Sequence, residues 1–516
     1  MVFNEARSCA GVIEAIQDHL PALYFVFSRG RTEQLAEELG REWDFLLPRE
    51  KTRVREILEK AEQDHPGLFG GRRRGLRRLL LQGIGYHHAG LSPALKELVE
   101  KLYESRLVFV LFCTETFALG INFPAASTVF DSTRKWDGRN HRSLLNREFF
   151  QMAGRAGRRG FDRVGHVYIT IDEKFPEQTG FFDESQVEPV RGRLVISPNT
   201  VLSLLQWKTD AEIERFLTQN LAVYQNTREA RNLAEELETV DEKIHALRGT
   251  FCEDRDSPSC PLLRRKLKKE LNRLRNRKKR KKPDTPGRVA EIKSILAQPA
   301  KGCLHYACRD AQEEIAVLVE RKKELVRRRR ELKSHAVDYH REFQRMCDLL
   351  EKLGFIEGKT LLPRGLFALH VHVQEILVTE LVFSGILRDA PPAEIASILA
   401  GVDYQPGRDD VVLPGTYPMD EVALLRSELL DAGVPEYLCV WSPLPGPLAE
   451  AWYQGATFEE LQKMCNLHEG DIFSIIRREI DVLRQIERAA GEDAELRQII
   501  NDIRNVLDRE EMAVLV

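Results

Sequence analysis

Short apolar runs alternate with amphipathic segments over the first third of the chain. The runs LYFVF, VFVLF and HVYIT contain no acidic residue, lysine or arginine, which is typical of strands buried in a parallel sheet. Between them, Glu33 to Gly40 and Pro93 to Tyr103 repeat apolar residues at helical spacing. The alternation predicts an α/β domain over residues 1–185, with helices covering both faces of the sheet.

Helical periodicity dominates beyond residue 185. Two amphipathic helices are predicted between Pro189 and Gln225, and two long charged helices from Thr227 to Leu247 and from Asp310 to Leu349. Long helices that run out and back predict an antiparallel stalk over residues 227–339. From about Val378 onward the pattern predicts further helices.

Composition narrows the classes of protein to consider. A chain of 516 residues has room for several domains, each with its own core. No apolar run approaches the roughly twenty residues that span a bilayer, and no signal peptide follows Met1. Nine cysteines without an export signal predict reduced thiols and a cytoplasmic protein with no membrane partner. The net charge of -3 hides a basic middle and an acidic C-terminal third.

The decapeptide QMAGRAGRRG, residues 151–160, carries the clearest chemistry. Arg155 and Arg158 are three residues apart, a spacing that predicts both guanidinium groups on one side of a helical turn. Planar, permanently charged guanidinium forks suit phosphate oxygens and can stabilise charge during phosphoryl transfer. We therefore predict a phosphate-binding role for this segment.

Three segments, taken in order, identify a resemblance. ALYFVFSRGRTEQLAEEL (Ala22 to Leu39), TETFALGINFPA (Thr114 to Ala125) and QMAGRAGRRG resemble motifs IV, V and VI of the second RecA-like domain of superfamily 2 helicases. More specifically, they resemble the superkiller-like branch of DExH-box RNA helicases. The resemblance implies the C-terminal part of an ATP-dependent, 3′-to-5′ RNA helicase that uses ATP and Mg²⁺ and works in RNA processing or decay.

The same resemblance implies roles for individual residues. Gln151, Arg155 and Arg158 would be catalytic and face the nucleotide, together with Gly120 and Asn122. The residues implied to contact nucleic acid would read backbone rather than bases, and they are Ser28, Arg29, Thr114, Glu115, Arg477 and Arg478. For the last two, salt bridges to nearby acids are an equal alternative.

The resemblance also divides the rest of the chain. It implies a winged-helix domain in two segments, 186–226 and 340–377, interrupted by the helical stalk at 227–339. Residues 378–516 would form a helical, ratchet-like C-terminal domain. An ATPase also needs a Gly-rich phosphate loop and an acidic metal-binding motif, and no DExH or DEAD string occurs. We therefore expect a first RecA-like domain to be supplied in cis or in trans.

One segment imitates a phosphate loop. Gly354 to Thr360 reads GFIEGKT, one residue short of the usual spacing. It follows a helical pattern rather than a buried strand, and no helix is predicted after Thr360. The segment is better explained as a turn leading into the wing of a winged-helix domain.

Cysteines and basic residues cluster between the two stalk helices. The run Leu262 to Lys282 is strongly basic, and it predicts an RNA-binding tip in preference to a solvated helix or a nuclear-localisation signal. Four thiolates could hold zinc, with an iron–sulfur cluster as the competing metal site and His305 as a substitute ligand. The candidate ligands are Cys252, Cys260, Cys303 and Cys308.

Several alternatives stay open at this level. The Arg-rich stretch Gly70 to Arg78 could touch RNA or be solvated. The chain could also be a non-catalytic RNA-binding and partner-docking module, or part of a DNA-repair helicase from a related branch. An exosome-like ribonuclease is the partner class that the resemblance implies.

Overall fold

The computed structural model describes most of the chain in two compact units. One unit comprises Met1–Val190, Ile196–Thr209 and Gln344–Val516, and the other comprises Arg191–Val195 and Asp210–Phe343. The described residues are 8–70, 73–118, 125–138, 140–158, 160, 162–171, 182–252, 257–258, 260–279, 286–298, 306–335, 338–509 and 512.

Among the described residues, helices dominate the secondary structure, and most strands lie before residue 170. The helices are α1 (Cys9–Ala15), α2 (Arg29–Leu39), α3 (Pro48–Asp64), α4 (Arg74–Leu80), α5 (Pro93–Glu104), α6 (Asn146–Ala153), α7 (Pro198–Trp207), α8 (Asp210–Thr218), α9 (Leu221–Gly249), α10 (Pro261–Lys279), α11 (Pro286–Ala297), α12 (Tyr306–His335), α13 (Tyr339–Lys352), α14 (Pro363–Ala368), α15 (Glu375–Phe383), α16 (Ile386–Asp389), α17 (Pro392–Ala400), α18 (Asp420–Asp431), α19 (Gly446–Tyr453), α20 (Phe458–Met464), α21 (Glu469–Ala489) and α22 (Ala494–Leu507). The strands are β1 (Ala22–Phe25), β2 (Ile84–His87), β3 (Val110–Cys113), β4 (Ser127–Phe130), β5 (Arg134–Trp136), β6 (His141–Ser143), β7 (His166–Ile169), β8 (Ile356–Glu357) and β9 (Thr360–Leu361).

A five-stranded sheet organises the first part of the chain. Its strand order is β2-β3-β1-β4-β7, and every neighbouring pair is parallel. Strands β1 to β4 are buried along their whole length, whereas β7 is an edge strand with alternating exposure. The predicted parallel sheet is confirmed, and the three apolar runs form β1, β3 and β7. The apolar pattern did not predict β2 and β4, whose short segments contain glycine, histidine, serine or threonine.

Helices pack their apolar faces onto this sheet. Helix α2 buries Leu35 and Leu39, and α5 buries Leu98 and Leu102, so each contributes to one continuous core with the strands. Both lie where helical spacing predicted them, although α2 begins four residues earlier, at Arg29. Proline at the first position of α5 suits a helix start, because the missing N–H would have no helical partner there.

A short β-hairpin lies between α13 and α14, in the same unit as the five-stranded sheet. Strands β8 and β9 pair antiparallel after α13, and Gly358 takes the left-handed conformation (φ 58°) that the tight turn needs. The GFIEGKT segment therefore contains β8 and the turn of this hairpin, and it does not have the strand–loop–helix context of a phosphate loop. Contrary to the expectation from sequence, a helix does begin soon after Thr360, at Pro363. The winged-helix assignment of this region stays a prediction.

The second unit consists of long helices. Ion pairs of Glu236 with Arg321 and of Asp241 with Lys322 connect α9 to α12. Glu229, earlier in α9, lies 3.8 Å from Arg328, later in α12, so the two helices run antiparallel. The predicted continuous helix from Asp310 to Leu349 is wrong, because α12 ends at His335 and α13 begins at Tyr339.

Candidate nucleotide and nucleic-acid site

The segment with the two arginines lies just beyond the end of a helix. Helix α6 begins with Glu148 accepting a hydrogen bond from the Leu145 amide, and it ends at Ala153. Gln151 is exposed in its last turn, while Arg155 and Arg158 follow in an irregular, half-buried loop. The predicted helical turn carrying both guanidinium groups is therefore wrong. The glycines of the motif end the helix before the arginines are reached.

Backbone pairing ties this loop to the strand that follows motif V. The Ala125 amide donates to the Arg155 carbonyl (2.9 Å), and the Gly157 amide donates to the Ala125 carbonyl (2.8 Å). Gly157 has a φ of 92°, a conformation that favours glycine. A Cβ on Gly165 would lie 2.4 Å from the Ala156 carbonyl oxygen, so only glycine allows this approach. The loop therefore has a defined backbone at the amino end of β4.

A carboxylate holds the guanidinium of Arg158. Its Nε and Nη2 donate to the two oxygens of Asp162 at 2.7 and 2.8 Å, and its backbone amide donates to Oδ2 at 2.8 Å. These bonds lower the pKa of Asp162 to about 2. A phosphate offers the same pair of oxygen acceptors as a carboxylate, so this orientation also fits a phosphoryl group.

Four of the six candidate nucleic-acid residues lie at the opposite, carboxyl edge of the sheet, and they are Ser28, Arg29, Thr114 and Glu115. Thr114 follows β3 and donates its amide to the His87 carbonyl (3.2 Å). Glu115 begins a short 3₁₀ turn and accepts from the ammonium group of Lys135 (2.5 Å). Gly120 and Asn122 lie outside the described residues. Among the described candidates, Arg155 and Arg158 thus lie at the amino edge of the sheet, and Thr114 and Glu115 lie at its carboxyl edge.

Ser28 and Arg29 begin α2 at this same carboxyl edge. Ser28 is exposed, and its carbonyl accepts from Thr32. Arg29 Nη1 donates to both oxygens of Asp471 in α21, at 2.9 and 2.7 Å. The pair is about one-third exposed, so a phosphate that binds Arg29 would compete with this carboxylate.

Arg73 connects the sheet domain to the start of α21 through buried polar contacts. Its side chain, 3% exposed, donates to Glu33 (3.0 Å), to Glu469 (3.1 Å) and to the Gly90 carbonyl (3.2 Å). Bonds from His88 and from Arg73 lower the pKa of Glu33 to about 2, against the opposing effect of burial. Arg73 therefore has a structural role, and the sequence held no signal for it beyond a basic cluster.

Close backbone packing accompanies this ion-pair network. The Gly470 amide donates to the Gly90 carbonyl (3.1 Å), and a Cβ on Gly470 would lie 2.1 Å from the Ala89 carbonyl oxygen. Burial also lowers the pKa of His88, which is fully enclosed beside Glu33. The first turn of α21 is consequently held on the sheet domain by contacts that tolerate little change.

The two arginines on α21 differ in their surroundings. Arg477 donates to the Met512 carbonyl and lies over the Phe473 ring. Arg478 donates to the Asp403 carbonyl (3.0 Å) and lines an open cavity of about 450 Å³. Burial lowers the pKa of Arg478. Of the two, Arg478 has the better position for an external ligand, and for both a nucleic-acid role stays a prediction.

The predicted metal site is only partly described. The Cys252 amide donates to the sulfur of Cys308 (3.2 Å), so these two ends of the stalk helices meet. Cys260 and Cys308 are buried, and Cys303 and His305 lie outside the described residues. Within the described ranges, no three histidine, cysteine or acidic side chains form a group that could hold a metal ion. The described structure thus gives the zinc or iron–sulfur prediction no support.

Comparison with known protein families gives two matches. The helicase conserved C-terminal domain matches residues 51–160, and the DSHCT (NUC185) domain matches residues 358–512. In the part of the chain that is described, no helix is long and apolar enough to cross a membrane.

The relatives are helicases of much greater length. Human superkiller complex protein 2 is 35% identical over 238 residues, which is 44% of this chain and 18% of that protein. Human exosome RNA helicase MTR4 is 33% identical over 235 residues, 44% of this chain and 22% of that protein. The Arabidopsis thaliana DExH-box ATP-dependent RNA helicase DExH11 is 43% identical over 162 residues, 31% of this chain and 12% of that protein. The chain is thus similar to the C-terminal portion of superkiller-like DExH-box RNA helicases, and its matches span about a fifth or less of the length of these relatives.

Proposed function

We propose that the chain acts as the C-terminal part of an ATP-dependent RNA helicase that unwinds or remodels RNA with 3′-to-5′ polarity. The observation that carries the proposal is the motif VI loop, whose backbone pairs with Ala125 and whose Arg158 is already oriented by Asp162. A fixed loop with half-buried guanidinium groups can stabilise the charge of a transferring phosphoryl group without reorganising.

The nucleotide role rests on what these side chains can do. Arg158 offers a planar fork, and Arg155 adds a second half-buried guanidinium in the same loop. Gln151 is exposed in the adjoining helical turn and can donate to an oxygen or orient a water. ATP with Mg²⁺ would supply the phosphoryl group and would be held mainly by a first RecA-like domain, in cis or in trans. Asp162 would release part of the Arg158 fork when phosphate binds.

The nucleic-acid role rests on the other edge of the sheet. Ser28, Arg29 and Thr114 follow β1 and β3 at their carboxyl ends, where hydroxyl, guanidinium and amide groups suit phosphate oxygens. Glu115 would act by holding Lys135 in place beside this surface. Such contacts do not distinguish one base from another, as expected for an enzyme that moves along RNA of any sequence.

The decisive experiment measures RNA-stimulated ATP hydrolysis with a first RecA-like domain supplied in cis or in trans. Arg158→Ala should lower kcat by about 10³-fold or more, the range for arginines of this type, while RNA binding is retained. Arg158→Lys should fail to restore kcat, because an ammonium group keeps the charge but loses the fork. The exposed Arg163 gives a matched control, and Arg163→Ala should have no effect. Unchanged kcat in Arg158→Ala would refute the assignment.

The partner and the location stay proposals. One relative is named an exosome RNA helicase, so we extend the proposal to an exosome-like ribonuclease partner. The cytoplasmic setting rests on the reduced cysteines that the sequence predicts. The alternative function is a non-catalytic module that binds RNA and docks partners. Full RNA binding without any ATPase activity, even with the first RecA-like domain present, would favour that module.

A further inference from the structure

A cavity of about 640 Å³ lies in the C-terminal part of the chain, between α19 and the loop 406–419 that precedes α18. One wall forms where α17 and α19 pack closely. The Ser397 hydroxyl donates to the Gly446 carbonyl (3.1 Å), and a Cβ on Gly446 would lie 3.0 Å from the Ser397 carbonyl oxygen. The loop forms another wall, and the Leu413 amide ties it to the Met464 carbonyl (2.8 Å). The cavity is therefore bounded by segments with a defined backbone.

Glu450 places a buried carboxylate at this cavity without a cation beside it. The residue is 6% exposed, and its oxygens accept from the Thr416 backbone amide (3.0 Å) and, over a longer distance, from the Gln454 side chain (3.4 Å). Among the described residues, no lysine, arginine or histidine lines the cavity or forms an ion pair with Glu450. A buried carboxylate is costly unless a positive group or several hydrogen bonds compensate its charge. The cavity thus suits a ligand that brings a cation.

The other walls disfavour an anion and offer apolar contact. Asp410 adds a second acid, whose Oδ2 accepts from the Tyr404 hydroxyl (3.0 Å) and from the Gly407 amide (2.7 Å). A phosphate would therefore meet two carboxylates and no cation, so nucleic acid does not fit here. Lysine and arginine combine a positive end with an apolar stem, which can pack on hydrophobic walls. Four prolines, which have no backbone N–H to offer an anion, line the cavity, and they are Pro406, Pro414, Pro443 and Pro447.

A second cavity adjoins the first and favours a peptide over a small free amine. It measures about 310 Å³ and shares Met419 and Pro443 with the first cavity. Leu413 lines the first cavity and is 54% exposed, so apolar surface continues out to solvent. Side chains two residues apart in an extended peptide point the same way and lie roughly 7 Å apart. Two adjoining cavities can therefore take alternate side chains of one bound segment.

We propose that the cavity beside Glu450 binds a lysine or arginine side chain from an extended segment of a partner protein. The ammonium or guanidinium group lies against the Glu450 carboxylate, and Asp410 adds to the negative potential. The aliphatic stem packs on the prolines, and the adjoining cavity takes a second side chain of the same segment. The site recognises protein, so it does not depend on the ATP chemistry proposed for the sheet domain.

The test selects short random peptides, displayed on phage, against the full chain. The selected peptides should share a lysine or arginine with apolar neighbours. Their synthetic forms should bind Glu450→Gln at least about tenfold more weakly, because a charge-assisted hydrogen bond becomes a neutral one. The glutamine keeps an oxygen that can accept from the Thr416 amide, so the loop should stay in place. Norleucine or citrulline in place of the shared basic residue should weaken binding to the unaltered chain by a similar factor.

Two further variants separate binding from folding. Leu413→Lys puts an ammonium group at an exposed position of the cavity wall, so it should abolish binding of the selected peptides and leaves the buried Glu450 unchanged. Glu428→Gln removes one negative charge from an exposed position on α18, and it should leave the affinity as it was.

Several outcomes would overturn the proposal. These are selection of no peptide, selection of peptides without a shared basic residue, and equal affinity of the peptides for Glu450→Gln or for Leu413→Lys. Displacement of the peptides by spermidine at equal concentration would also overturn it, because the site would then take a free amine rather than a protein segment.

Discussion

Glu479 is an acid enclosed in the apolar face of α21, and its replacement should reverse a pH-dependent loss of stability. Its side chain is fully buried, and neither carboxylate oxygen has a hydrogen-bond partner among the described residues. Ile475, Ile476 and Leu483 are buried on the same stretch of helix. Burial raises the pKa of Glu479 well above its usual value. The folded protein therefore keeps this group protonated at a pH where the unfolded chain releases the proton.

The sign and size of the effect follow from proton linkage. Above the unfolded pKa of about 4.3, the folded state binds one more proton than the unfolded state, so stability falls as pH rises. The loss approaches about 1.4 kcal/mol per pH unit until the folded pKa is reached. The amide side chain in Glu479→Gln is uncharged at every pH, so the variant does not undergo this loss of stability. We expect the two proteins to be similarly stable near pH 5 and the variant to be more stable by a few kcal/mol at pH 8.

The assay compares thermal unfolding of the full chain and of Glu479→Gln between pH 5 and pH 8. Comparison of the two proteins at each pH cancels the titration of other groups. For a chain of 516 residues a difference of a few kcal/mol should appear as a Tm difference of roughly 2 to 4 °C. Hydrogen exchange of the α21 amides locates the change. Glu428 is exposed on α18, so Glu428→Gln should show no such trend. A Glu479→Gln difference that does not grow with pH would refute the reasoning.

Two further predictions test other parts of the structure. Arg73→Met should destabilise the chain by about 3 to 5 kcal/mol, because it leaves Glu33 and Glu469 without their buried partner. Arg74 is exposed, so Arg74→Met should have little effect in the same unfolding experiment. If the stalk cysteines hold zinc, as the sequence predicts, purified protein should contain about one zinc per chain. A folded, reduced sample that contains no zinc and no iron would contradict the metal site.

Local patterns predicted much of the first domain. Fully apolar runs predicted β1 and β3, since a strand covered on both faces must be apolar throughout. The order of motifs IV, V and VI predicted a helicase domain, which the family comparison confirms. The helical turn expected around Arg155 and Arg158 was wrong, because spacing alone does not show where glycine ends a helix. Similarly, the stretch from Asp310 to Leu349 contains few helix-breaking residues, so its pattern did not indicate that α12 ends at His335.

Tertiary structure decided how the charged residues are used. Arg29 and Asp471 are 442 positions apart in the chain, and Arg73 and Glu469 are 396 apart. No local periodicity encodes such a pair, because its two members meet only when distant segments of the chain pack together. The sequence by itself determined the class of domain, and it predicts phosphate-binding chemistry for the arginines of that domain. Only the folded chain decided that Arg73 is structural and that Arg158 is held by Asp162.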